Sequence, residues 1–85
     1  MPFDSVRNYY ETLVFEEVKR QSGKLRDDSV LSDIACVALN HLPPRYFRHE
    51  VDFFFYLSPE ERNETLHKVQ TAVANAIEFI KNARK

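Results

Sequence analysis

The chain has 85 residues, 44% of them hydrophobic, and a formal net charge of −1. That is one domain of residues 1–85, too apolar for disorder and without the basic excess expected of a general nucleic-acid binder. The single cysteine, Cys36, excludes an intrachain disulfide. It lies in an apolar helical run, so it is expected to be a small buried hydrophobe rather than a reactive thiol.

The first helix is expected from Asp4 or Ser5 to Gln21. Either residue suits a cap, and Val6, Tyr9, Tyr10, Leu13, Val14 and Val18 recur at helical spacing. Glu11, Glu16, Glu17, Lys19 and Arg20 take the other side. Gly23, the chain's only glycine, stops it as a left-handed cap after Ser22. Residues Lys24 to Asp28 read as a polar loop.

A second helix is expected from Ser29 to Leu42, capped by Asp28 or Ser29. Val30, Leu31, Ile34, Ala35, Val37, Ala38, Leu39 and Leu42 make it apolar round most of its circumference. That pattern predicts the central, most buried helix. Asp33 and Asn40, seven residues apart, fall nearly on one face. Pro43-Pro44 ends the helix, since neither proline offers an N–H and each biases its predecessor toward extended geometry.

Tyr46 to Leu57 alternates weakly and carries the run Phe53-Phe54-Phe55-Tyr56. Rings on both faces of an extended segment call for a second apolar partner, most simply another copy of the chain. The third helix begins with Ser58-Pro59-Glu60-Glu61: a cap, a proline at the first helical position and a capping-box glutamate. It runs to about Ala83, with Leu66, Val69, Val73, Ala76 or Ile77, and Ile80 as its stripe. The predicted fold is all-α: a small three-helix domain with an extended aromatic segment between helices 2 and 3, forming a homodimer.

Little here suits bond-breaking chemistry. His41, His49, His67 and Cys36 lack metal-ligand spacing, so no metal site is expected. Cys36 and His41 lie about 140° apart round a helix and do not form a nucleophilic pair. Glu60 and Glu61 serve a helix start, and one glycine leaves no phosphate loop. The expectation is a non-enzyme. No segment is apolar for the ~20 residues a membrane span needs. The segment Met1 to Ser5 resembles no signal peptide, and a cytoplasmic location is expected.

Binding is the remaining chemistry. The double-proline corner projects Arg45, Tyr46 and Arg48, which join fork-shaped cationic donors to an aromatic face. Such groups suit a flat, phosphorylated ligand, because arginine forks onto phosphate and rings stack on bases. Pairing of Arg45 and Arg48 with Asp52, Glu50 or Glu60, with Tyr46 in the core, explains the same residues without a ligand. Both readings stand on residue type.

The run Asp33-Ile34-Ala35-Cys36-Val37-Ala38-Leu39-Asn40-His41-Leu42-Pro43-Pro44-Arg45-Tyr46 resembles the signature of the late competence development protein ComFB family. Its core there is an "ALN.LPP.Y" pattern at the end of a central helix. Asn8-Tyr9-Tyr10-Glu11 resembles the family's opening. The resemblance implies a helical, dimeric, non-enzymatic receptor for c-di-GMP or c-di-AMP, linked to competence or motility. Carried onto this chain, it implicates Asn40, Arg45 and Tyr46, with Arg48 added for its charge. Some members bind zinc through cysteines before the central helix. Arg26-Asp27-Asp28-Ser29 stands there instead, so no zinc and no cofactor are expected. The alternative is a ligand-independent module that docks a regulatory or pilus-motility protein. A helix-turn-helix reading fails because an aromatic stretch, not a basic helix, follows the turn.

Overall fold

The computed structural model describes residues 3–23, 25, 27–47 and 57–83. Three helices, α1 (Tyr10–Gln21), α2 (Asp28–Asn40) and α3 (Pro59–Ala83), pack against one another in all three pairings. Two short strands, β1 (Arg7–Asn8) and β2 (Tyr46–Phe47), pair antiparallel. The architecture is all-α, with this two-residue ladder as a clasp between its N-terminal segment and the chain beyond α2.

The first helix starts later than its apolar spacing predicts. Asp4 and Ser5 lie in a turn closed by the Val6 amide on the Phe3 carbonyl (3.1 Å). Tyr9 stands at the N-cap without a side-chain capping bond, and Asn8 supplies one instead, its Oδ1 accepting from the Tyr10 amide at 3.0 Å. Val6, ahead of the helix, is 47% exposed. At the other end Gly23 takes φ +62°, the left-handed conformation expected of it. The Gln21 side-chain amide then donates to the Gln70 carbonyl (3.0 Å), tying the end of α1 to α3.

Helix α2 begins one residue early because Asp27, not Asp28 or Ser29, is the cap. Its carboxylate accepts from the Ser29 amide at 2.9 Å. The helix also ends at Asn40, two residues short of Leu42. His41 closes it by donating its amide to the Ala38 carbonyl (3.0 Å), a tightened last turn. Only Ile34, Ala35 and Ala38 of α2 are fully buried, with Val30, Leu31, Val37 and Leu39 packed at the core edge.

The largest buried share belongs to α3 instead, through Thr65, Val69, Ala72, Val73, Ala76, Ile77 and Ile80. Small residues at 72 and 76 let this long helix lie close to both neighbours, which the apolar count of α2 does not reveal. Thr65 occupies the buried position expected of Leu66, which is 39% exposed. Cys36 is exposed, against expectation. It sits about 150° round α2 from the line through Ile34, Ala35 and Ala38, on the outer side.

The capping box opens α3 as predicted. Ser58 Oγ accepts from the Glu61 amide and Glu61 Oε1 accepts from the Ser58 amide, both at 3.1 Å. The aromatic run 53–56, with Arg48 and His49, lies outside the described residues. No described helix is long and apolar enough to cross a membrane.

Candidate functional site

The double-proline corner is built where α2 runs out of hydrogen-bond donors. Leu42 turns inward and is buried, while Pro43, Pro44, Arg45 and Tyr46 stay exposed. With no N–H on either proline, the backbone regains pairing only afterwards. The Arg45 carbonyl accepts from the Tyr9 amide, and Tyr46 and Phe47 pair with Asn8 and Arg7. The corner is thus sewn to the segment that caps α1.

Arg45 reaches toward the start of α3. Burial pushes the Tyr9 phenol above its ordinary value of 10.0, and the Arg45 guanidinium draws it back. Tyr10 adds to the rise, and Arg62 opposes it. The Glu61 carboxyl is held low mainly by the Ser58 amide, then by the Ser58 hydroxyl, with Arg45 helping. Tyr9, Arg45, Glu61 and Arg62 therefore form one electrostatic neighbourhood. Tyr9 also packs on Tyr10, ring centroids 5.6 Å apart and tilted by 55°.

Tyr46 is 65% exposed, so its ring face is open to stacking. Asn40 is placed differently. Its Nδ2 donates to the Cys36 carbonyl at 3.0 Å, turning the amide back along its own helix. It lines a shallow hollow of about 390 Å³ with Asn8, Glu11, Leu39, Leu42 and Pro44. The structure brings Arg45 and Tyr46 onto the same stitched segment, with Asn40 on the other flank of the prolines. Arg48 falls outside the described residues.

The family model described as late competence development protein ComFB matches residues 7–84. The chain belongs to the ComFB family. The match takes in both halves of the clasp, residues 7–8 and 46–47, so the ladder lies within the ComFB domain. No curated protein and no solved structure gives a significant match. Membership gives this ComFB domain a role related to late competence development.

Sequence reasoning assigned Tyr9 to an apolar stripe and Glu61 to a cap, and gave Arg62 no role. Their approach to Arg45 depends on α3 folding back on the corner, and no local spacing signals it. Among the described residues, no three His, Cys, Asp or Glu side chains come together as metal ligands would.

Proposed function

We propose that this ComFB domain is a non-enzymatic receptor for a cyclic dinucleotide, c-di-GMP or c-di-AMP. The ligand docks at the double-proline corner of a cytoplasmic homodimer that regulates competence or motility. The observation carrying this reading is that Arg45 and Tyr46, consecutive and both exposed, sit on a backbone fixed to Asn8 and Tyr9. A guanidinium supplies charge-assisted contacts to phosphate, and the ring supplies a stacking face for a purine. Two phosphates and two purines call for two such sets, which two protomers offer symmetrically. Asn40 and Arg48 complete the proposed rim.

Because the main chain at this corner is held by its own ladder, truncating either side chain leaves the fold intact. Arg45→Ala weakens cyclic-dinucleotide affinity by about 2 kcal/mol and Tyr46→Ala by about 1–3 kcal/mol. Fluorescence anisotropy with a labelled dinucleotide measures both. Unchanged affinity in both variants removes the corner from the site.

The second reading is a ligand-independent interaction module. It draws on exposed aromatic side chains of α1 and α3, where Phe15 is 47% and Phe79 60% exposed. Partner capture that is equal with and without nucleotide, and lost on truncating those rings, favours it.

A further inference from the structure

Between α2, Pro43 and α3 lies a half-open groove of about 760 Å³. That lies inside the roughly 300–1,000 Å³ range of small-molecule sites. Its floor is apolar, formed by buried Leu42, Ala72 and Ala76. Its ends differ in character. Lys68 stands at one end and the 60%-exposed ring of Phe79 at the other, eleven residues along α3 or about 16 Å.

Lys68 is the one lysine or arginine among its described lining residues; His41, His67, Thr71 and Asn75 add polar groups, and no aspartate or glutamate is among them. His41 already has its Nδ1 committed, 2.8 Å from the Val37 carbonyl. That bond fixes the ring and leaves Nε2 as its remaining polar edge.

From this arrangement we infer that the groove is a second ligand site, for an amphiphilic carboxylate of fatty-acid type. Its head is held at Lys68 and its tail lies over Ala72 and Ala76 toward Phe79. The apolar floor takes the chain by the hydrophobic effect, and the Lys68 ammonium selects the sign of the head. The groove borders the proposed dinucleotide corner through Leu42 and Pro43, but its ligand is held at Lys68 and not by Arg45 or Tyr46, so the inference does not rest on that reading.

Sodium decanoate is the probe, titrated into the intact chain without nucleotide and followed by amide chemical shifts. The expected result is saturable shifts centred on Lys68, Thr71, Asn75 and Phe79, with no such response to decylammonium. Lys68→Glu, an exposed change that spares the core, lowers affinity by about tenfold or more. Asn75→Trp, also at an exposed position, fills the trough and abolishes binding while circular dichroism confirms the fold. No saturable shifts, shifts elsewhere, or equal binding of decylammonium overturns the inference. So does a finding that Asn75→Trp splits a dimer that never bound decanoate, since a second copy then occupies the groove.

Discussion

The amide of Tyr9 donates to the carbonyl of Arg45, joining the residue before α1 to the residue after the double proline. These positions are 36 residues apart in the chain, so the bond is a long-range closure rather than a local turn. It sets where the Arg45 side chain begins, and Arg45 in turn acts on Tyr9 and Glu61. The clasp therefore links the cap of α1, the end of α2 and the start of α3 through one short stretch of backbone.

Asn8 serves both sides of that clasp, pairing with Tyr46 through its main chain and capping α1 through its side chain. Asn8→Ala removes the cap and lowers stability by about 1 kcal/mol in urea unfolding. A cost near zero would mean that the Tyr10 amide finds another acceptor.

The core prediction rests on Ile34, which is 1% exposed in the core cluster shared by the three helices. Ile34→Ala leaves a cavity and costs about 2–5 kcal/mol. In a domain this small that is a large fraction of total stability. Thermal unfolding should show the variant partly unfolded near room temperature, and a melt like that of the parent chain would contradict the packing described.

Gly23 tests backbone strain without steric complication. A Cβ there meets nothing within 4 Å, yet φ is +62°. Gly23→Ala therefore costs about 1 kcal/mol through the left-handed conformation alone. Gly23→Asn, better suited to that region, should recover part of the loss in the same melts.

The capping box gives a pH dependence of definite sign. Glu61 has its folded-state pKa depressed, chiefly by the Ser58 amide and then its hydroxyl. Stabilisation from a depressed carboxylate is complete above the ordinary glutamate value of 4.5 and is lost as pH falls through the folded value. Glu61→Gln should thus lower the melting temperature at neutral pH and converge with the parent chain below that value. A gap that persists in acid would show that charge is not its cause.

The sequence makes these features legible to different depths. Ser58, Pro59 and Glu61 announce α3 because a capping box is local, and Gly23 announces the end of α1 for the same reason. The start of α1 is misread because Asp4 and Ser5 have capping chemistry but are consumed by a turn. Asn8 is selected by pairing with Tyr46, a contact 38 residues away in sequence. Cys36 and Leu66 illustrate another limit. Cys36 belongs to an apolar run and Leu66 to a helically spaced stripe, and only the placement of neighbouring helices decides which side is covered. Of the four residues proposed for the corner, Arg45 and Tyr46 share one stitched segment and Asn40 turns back onto Cys36.

The central claim is that the double-proline corner belongs to a cyclic-dinucleotide receptor. Isothermal titration calorimetry of the intact chain with c-di-GMP, and separately with c-di-AMP, tests it most directly. The account predicts saturable heat with at least one of them at tens of micromolar protein, one dinucleotide engaging the symmetric pair of protomers. No heat with either ligand at that concentration would contradict it.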